Sequence, residues 1–303
     1  MTVKDRMKTS VIGSYPVSVD SLGIMSRYFQ MQESSWERYI QVAVRDMVSA
    51  GVCMVSDGQT RDPFIQLFTR RLGGCRVRAR TEVIGPVEYC GPIILKDQQV
   101  VRRLLSGKGE LVGVLTGPFT LMKSCVDMFY HDERELAFAF ADVVRQEASE
   151  LQHHVDCVSI DEPFFSTEMP EYGKELIDCI CKSITVCPTR LHVCGDVSQI
   201  VSDLLEMPVD ILAHEFKASP HLFDAFSEHS GFPQSICLGS VRSDSDRVES
   251  VEEIVSHIEH GLDVFGEKLI QLSPDCGQRL LPRKAAYQKL KNLVQAGERV
   301  YGS

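Results

Sequence analysis

Hydrophobic residues along the chain follow two alternating spacings, and this alternation predicts the order of the secondary-structure elements. Short apolar runs are typical of strands that are buried on both faces, as in parallel sheets. Longer segments with apolar residues three or four positions apart indicate amphipathic helices. The predicted strands occupy residues 8–16, 52–55, 110–118, 156–163, 190–196, 209–214, 236–241 and 268–272. A helical segment follows each of them, so the chain repeats a strand-then-helix unit.

The helical segments have recognisable ends. The first, residues 36–50, stops at Gly51, a residue type favoured just after a helix C-terminus. The other predicted helices occupy residues 98–105, 133–151, 175–184, 199–205, 219–227, 251–265 and 283–300. Between the second and third strands, residues 76–89 alternate polar and apolar positions, which predicts a hairpin.

Polar residues able to do chemistry directly follow these strands, at their carboxyl ends. That placement is typical of the active site of a (β/α)8 barrel. We therefore predict an α/β protein, a (β/α)8 TIM barrel with a small hairpin insertion after strand 2, as one domain over residues 1–303. A doubly wound open sheet is the alternative, but no glycine-rich phosphate turn follows the first strand.

Composition and charge narrow the classes of partner. With 44% hydrophobic and 24% charged residues the chain is ordinary for a globular protein, and no apolar run approaches the roughly 20 residues that span a bilayer. A net charge of −10 disfavours nucleic acid and anionic membranes. The first residues contain no apolar signal segment, and the 11 cysteines lack regular spacing, which indicates a reducing compartment. We expect a cytoplasmic protein that binds neither nucleic acid nor membrane.

Candidate metal ligands lie at the ends of three predicted strands. His192 and Cys194 are two residues apart on one strand, so their side chains are expected to share a face. Glu215 directly follows the sixth strand, and Cys276 follows the eighth. A single His or Cys at a strand end is usually a packing residue. One imidazole, one carboxylate and two thiols at equivalent positions are instead typical of a Zn²⁺ site.

Two adjacent carboxylates end the fourth strand, and the pattern separates their roles. Neighbouring residues on a strand face opposite sides, so we expect Asp161 to face the site and Glu162 to form a structural ion pair. Asp275 either supports a metal ligand or caps the last turn, and the sequence leaves both open. His214 precedes Glu215 and points the other way, which favours a structural role.

The motifs around these residues resemble one enzyme family along nearly the whole chain. They are Val11-Ile12-Gly13-Ser14-Tyr15-Pro16, Ser56-Asp57-Gly58-Gln59, Gly117-Pro118-Phe119-Thr120, Ile160-Asp161-Glu162-Pro163, His192-Val193-Cys194-Gly195, His214-Glu215-Phe216, Arg247-Val248-Glu249-Ser250-Val251-Glu252-Glu253 and Pro274-Asp275-Cys276-Gly277. In this order they resemble the catalytic C-terminal barrel of cobalamin-independent methionine synthase, within the wider uroporphyrinogen decarboxylase-like barrels. The resemblance implies a zinc site with the ligands His192, Cys194, Glu215 and Cys276. It also implies that Ser14 and Asp161 hold the amino-acid end of homocysteine.

Three departures from the family pattern bear on the chemistry. Where the family has a carboxylate in the loop after the second strand, this chain has Gln59, with Asp57 nearby as a candidate substitute. Gln59 and Asp57 are therefore further candidate residues for binding the acceptor. Asp244 stands at the position of the family's catalytic His, which is expected to help protonate the leaving folate nitrogen. The sequence also begins at the barrel, without the folate-binding half of the long family members.

The departures favour a corrinoid methyl donor. Binding to Zn²⁺ converts a thiol into the nucleophilic thiolate. Methyl-folate leaves poorly unless its nitrogen is protonated, whereas a methyl-corrinoid releases cob(I)alamin without a proton. We therefore predict methyl transfer to homocysteine from methylcobalamin or a methyl-corrinoid protein, as in the short relatives that the chain resembles. Asp161 and Asp244 are the catalytic candidates.

Other interpretations stay open at this point. A zinc-dependent alkyltransferase acting on coenzyme M or another small thiol would use the same ligands, although Ser14 and Asp161 suit an amino-acid ammonium better. If methyl-folate is the donor, another residue has to supply the proton, and His221 and Glu162 are candidates. Four ligand-type residues in register disfavour a metal-free decarboxylase of the same superfamily. Structural zinc usually occupies short Cys-rich motifs, which disfavours a non-catalytic zinc protein.

Overall fold

Parallel strands form a barrel at the centre of the structure, a computed structural model that describes residues 7–19 and 36–302. In chain order the strands are β1 (Lys8–Thr9), β2 (Met54–Val55), β3 (Leu72–Val77), β4 (Thr81–Tyr89), β5 (Glu110–Thr116), β6 (Cys125–Asp127), β7 (Cys157–Asp161), β8 (Thr189–His192), β9 (Ile211–His214), β10 (Ser235–Val241) and β11 (Leu269–Pro274). Around the barrel their order is β1-β11-β10-β9-β8-β7-β5-β2. A parallel bridge between Ser10 and Met54 joins the two ends of this sheet. The predicted TIM barrel is confirmed.

Helices connect the barrel strands and cover the outside of the barrel. They are α1 (Glu37–Ala50), α2 (Phe64–Thr69), α3 (Leu95–Leu105), α4 (Pro118–Lys123), α5 (Glu133–Leu151), α6 (Gly173–Cys181), α7 (Val201–Leu204), α8 (Leu222–Ser227), α9 (Val251–Phe265) and α10 (Arg283–Gly302), with short 3₁₀ turns at Pro163–Ser166, Ser198–Ile200 and Gly266–Lys268. Within the described residues, none of these helices combines the length and the apolar character needed to cross a bilayer.

The predicted hairpin insertion is present and is larger than expected. Strands β3 and β4 pair antiparallel, and β6 adds to β4 in parallel to make a separate three-stranded sheet. Helix α2 precedes this sheet. The insertion therefore follows the second barrel strand, as the alternating pattern indicated.

The end of β8 differs from its predicted position, and the difference concerns the candidate ligands. The ladder between β8 and β9 stops at the pair His192 and Ala213, so Cys194 lies in the loop after the strand. Strand alternation is therefore the wrong explanation for the closeness of His192 and Cys194. The loop itself brings the thiol back toward the imidazole.

Candidate active site

Three of the four predicted metal ligands meet at the carboxyl ends of β8 and β11. The Nε2 atom of His192 lies 3.0 Å from the sulfur of Cys194, and that sulfur lies 2.9 Å from the sulfur of Cys276. All three donor atoms are within 4.8 Å of one another. Nδ1 of His192 donates a hydrogen bond of 3.0 Å to the carbonyl of Ala213, which leaves Nε2 free to bind a metal.

The charges in this cluster favour one thiolate. A hydrogen bond from Cys194 and the contact with His192 hold the pKa of Cys276 well below its usual value, although burial opposes the shift. Burial lowers the pKa of His192, but Cys276, Asp161 and Glu215 outweigh it and raise that pKa to about 9. The site therefore concentrates negative charge around an imidazole, as a cation site does.

Glu215, the fourth predicted ligand, lies beside the cluster but outside the group of three. Its carboxylate accepts a hydrogen bond from the backbone N–H of Gly195. Burial, together with the charges of Cys276 and Asp244, raises the pKa of Glu215. The carboxylate is thus close enough for the charge of Cys276 to raise its pKa, and the loop after β8 holds it in place.

Asp275 joins the loop that carries Glu215 to the loop that carries Cys276. Its carboxylate accepts hydrogen bonds from the backbone N–H groups of Lys217 at 3.0 Å and Ala218 at 2.8 Å. Asp275 therefore supports the arrangement of two candidate ligands, the first of the two roles left open.

His214 packs against Phe226, and its Nδ1 contacts the carbonyl of Val193 at 3.3 Å.

The donor set fits zinc. Two cysteine sulfurs and one imidazole nitrogen, with the second imidazole nitrogen held by a carbonyl, are the soft and borderline ligands that Zn²⁺ prefers. Three protein ligands would leave room for a fourth, either Glu215 or a substrate atom.

Three predicted acceptor-binding residues, Ser14, Gln59 and Asp161, lie close together beside the cluster, and we refer to this group as the buried pocket. Gly13 has a φ of +48°, and a Cβ there would lie 3.3 Å from Oε1 of Gln59 and 3.5 Å from Oδ2 of Asp161. A Cβ on Gly277 would lie only 2.7 Å from the hydroxyl of Ser14. Both glycines therefore give space to the polar groups of the buried pocket.

Asp57, the fourth predicted acceptor-binding residue, holds the backbone of Gln59 in place. It is buried, and its Oδ1 accepts a hydrogen bond of 3.2 Å from the backbone N–H of Gln59. Gln59 has a φ of +45°, a conformation that needs such support. The Nε2 atom of Gln59 is buried without a protein partner in the described part of the chain. Gln59, and not Asp57, therefore offers a free polar atom.

The adjacent carboxylates Asp161 and Glu162 have separate surroundings. Burial raises the pKa of Asp161, while His192, Arg190 and a hydrogen bond of 3.0 Å from Ser159 oppose that increase.

Glu162 instead accepts bonds from the backbone N–H groups of Phe119 and Thr120, at 2.9 and 2.8 Å, and from the Thr120 hydroxyl at 2.6 Å. Burial raises its pKa to about 7. Glu162 fixes the start of α4, so the expected structural role takes the form of helix-terminus contacts and not an ion pair.

An open rim surrounds the other side of the cluster and is formed by Asp196, His221 and Asp244. Asp244 pairs with Arg242 through contacts of 2.6 and 2.8 Å, and its side chain is 59% exposed. Arg242 holds the pKa of Asp244 below its usual value. Asp196 and His221 form a second exposed pair at 2.9 Å.

The loop of Asp244 is anchored by a buried ion pair that the sequence did not reveal. Nζ of Lys289 lies 2.7 Å from Glu249, and both side chains are almost fully buried. Glu249 in turn accepts a bond of 2.9 Å from the backbone N–H of Arg242. Ser243 accepts a bond of 3.1 Å from the N–H of Cys276, so the loop also touches a ligand. The available signal was a lysine on the apolar side of the last helix.

Comparisons with known proteins show the family to which the chain belongs. The family described as "Cobalamin-independent synthase, Catalytic domain" matches residues 7–299. A protein of Methanocaldococcus jannaschii named methionine synthase is 36% identical, over 96% of this chain and 98% of its own length. A protein of the same name from Methanothermobacter thermautotrophicus is 35% identical, over 96% of this chain and 99% of its own.

A solved structure has the same architecture. It is described as a B12-independent methionine synthase from Shewanella sp. W3-18-1 in complex with selenomethionine. The two chains superpose with a TM-score of 0.82 over 98% of each, at 20% sequence identity. This likeness shows the fold, whereas the family match and the archaeal relatives carry the assignment to a family.

Proposed function

The chain belongs to the cobalamin-independent synthase catalytic-domain family and is a methyltransferase, and we propose that it makes methionine from homocysteine at a zinc site. The observation that carries the proposal is the adjacency of two sites. A cluster of two sulfurs and an imidazole opens beside a buried pocket that presents the carboxylate of Asp161. A thiol that also bears an ammonium group is complementary to both sites.

The acceptor is held by its amino-acid end. Asp161 receives the ammonium, and the free amide of Gln59 donates to the acceptor carboxylate, with the hydroxyl of Ser14 beside them. Coenzyme M has a sulfonate and no ammonium, so a buried carboxylate would repel it. The pocket therefore favours an amino-acid thiol.

His192, Cys194 and Cys276 would hold the metal, and Glu215 would be the fourth ligand. Zinc bound by these residues supplies deprotonation of the acceptor thiol near neutral pH. Two cysteine ligands keep the local charge low, which suits a sulfur nucleophile better than hydrolysis. Glu215 would be the most weakly bound of these ligands, because its carboxylate also accepts the hydrogen bond from Gly195.

The donor is a methyl-corrinoid, free or on a partner protein. A carbon–sulfur bond forms, the cobalt–carbon bond breaks with both electrons staying on cobalt, and the thiol proton goes to solvent. Asp244 cannot act as an acid, because Arg242 keeps it ionised. The family's name points toward a donor other than cobalamin, so the donor is tested directly.

The test measures methionine formation from homocysteine with methylcobalamin and with methyl-folate at equal concentration. We expect the wild-type protein to use methylcobalamin and to be slower with methyl-folate by roughly 10²-fold or more, the range that general acid catalysis supplies. Asp244→His should increase the rate with methyl-folate. Asp246→His, an exposed carboxylate two residues away, is the matched control and should not. Efficient use of methyl-folate by the wild type contradicts the donor assignment, and no methionine from either donor contradicts the function.

A further inference from the structure

A buried guanidinium lies inside the barrel, one layer below the candidate site. Arg190 precedes His192 by two residues on β8 and is fully buried. Its Nε donates to the hydroxyl of Ser159 at 3.2 Å, and its Nη2 donates to the carbonyl of Val11 at 3.0 Å. Its Nη1 donates to the hydroxyl of Ser10 at 2.9 Å and to Oε1 of Gln271 at 3.3 Å. The side chain thus spans the barrel interior.

These partners are neutral, so the positive charge of Arg190 is buried without an opposite charge beside it. Among the described residues, no carboxylate lies within ion-pair distance of its guanidinium. Burying an arginine without a paired carboxylate costs several kcal/mol unless another negative group compensates for it. The structure contains one such group at the next step of the hydrogen-bond chain.

Ser159 connects Arg190 to the carboxylate of Asp161. The serine oxygen accepts the Nε–H of Arg190, so its own hydrogen is directed to Oδ1 of Asp161 at 3.0 Å. The other carboxylate oxygen, Oδ2, faces the space above Gly13 that it shares with Gln59. One oxygen of Asp161 is therefore occupied from below and the other is presented to the pocket.

We propose that Arg190 is a positioning residue that acts through Ser159 to orient the Asp161 carboxylate and to balance its charge, so that the pocket selects acceptors bearing an ammonium group. This inference rests on the proposed function and adds a determinant of acceptor specificity to it. Arg190 touches neither the acceptor nor the metal ligands. Its positive charge and that of the acceptor ammonium lie on opposite sides of the same carboxylate.

The arrangement explains why the barrel keeps a polar interior layer here. A serine alone could turn its hydroxyl away from Asp161, because a hydroxyl rotates to suit its neighbours. The bond from Arg190 removes that freedom, since the lone pairs of Ser159 must face the guanidinium. The orientation of the carboxylate is thus set before the acceptor arrives.

The experiment compares the binding of homocysteine and of 4-mercaptobutyrate, which is homocysteine without its amino group. Isothermal titration calorimetry on the zinc-loaded protein gives the ratio of the two dissociation constants. Ser159→Ala should reduce the wild-type preference for homocysteine about tenfold, the size of a lost hydrogen bond to a charged group. Arg190→Met should give the same loss, and the double variant should lose no more than either single variant, because both residues act through one carboxylate.

Ser10→Ala is the matched control. It removes a hydroxyl of the same size from the same guanidinium, at 2.9 Å, but Ser10 does not contact Asp161. It should keep the wild-type ratio, and zinc content should be unchanged in every variant. A wild-type preference that survives in Ser159→Ala overturns the role of Arg190 while leaving the proposed function intact. A wild-type protein without any preference for homocysteine contradicts the proposed acceptor itself.

Discussion

The buried pocket and the open rim lie next to the same three candidate ligands, yet they are built in opposite ways. In the buried pocket, Asp161 is 5% exposed and is bound by Ser159, and the loops around it are tied to one another. The backbone N–H of Gln278 donates to Ser14 at 2.7 Å, and that of Tyr15 donates to Gly58 at 3.0 Å. In the open rim, Asp196 and Asp244 form exposed ion pairs.

The difference indicates how the two substrates are recognised. A buried carboxylate with fixed geometry discriminates strongly, because a ligand lacking the matching charge leaves it without a partner. Water and salt screen the charges of exposed ion pairs. Such pairs can attract a large charged partner, but they discriminate little between partners. We therefore propose that the acceptor is selected in the buried pocket and that the methyl donor approaches through the open rim.

Asp161→Asn should have the largest effect on recognition of the acceptor. The amide has the same shape and can keep the bond to Ser159, but it loses the charge that pairs with the acceptor ammonium. The Michaelis constant for homocysteine should rise roughly 10- to 100-fold, and that for 4-mercaptobutyrate should change little. Steady-state kinetics with both thiols measure this. Equal effects on the two thiols would mean that Asp161 does not bind the ammonium.

Glu162→Gln, at the next position, is the control for this variant. A glutamine places an NH₂ group against donors from Phe119 and Thr120, so at least one buried hydrogen bond is lost. The free energy of unfolding should fall by about 1–3 kcal/mol, while the preference between the two thiols stays as in the wild type.

Asp196→Asn in the open rim should have the smallest effect. Asp196 and His221 are each 53% exposed, so their pair contributes less than about 1 kcal/mol to stability. The Michaelis constant for homocysteine and the rate of methionine formation should stay unchanged in the assay with homocysteine and methylcobalamin. A large fall in rate with normal stability would instead indicate that His221 supplies a proton during the reaction.

The sequence predicted the barrel well because strong local signals agreed with the tertiary fold. Helices α5 and α9 have the predicted bounds, since each begins at a side-chain cap. The predicted helix at residues 199–205 is a 3₁₀ turn followed by the short α7, a distinction that apolar spacing does not make. Strand ends were predicted less accurately, as β8 shows. The end of a strand depends on where its hydrogen-bonded ladder with the neighbouring strand stops, and the strand's own sequence does not show that position.

The site was predictable in residue type but not in fine geometry. His192, Cys194 and Cys276 meet as expected from their positions after strands. The hydrogen bond between Glu215 and Gly195 depends on a loop conformation that no periodicity encodes. Arg190 did leave a signal, because it shares the strand face of His192 and must enter the barrel.

X-ray absorption at the zinc edge, on protein with and without homocysteine, shows whether zinc is bound by the two cysteines and by the sulfur of the acceptor. We expect about one zinc per chain bound by two sulfurs at about 2.3 Å, and a third sulfur when homocysteine is added. Cys276→Ser, which removes one ligand, should lose zinc and activity while keeping the barrel folded. A fully active protein without zinc would contradict the proposed zinc site. A sulfur count that homocysteine does not change would contradict binding of the acceptor thiol to the metal.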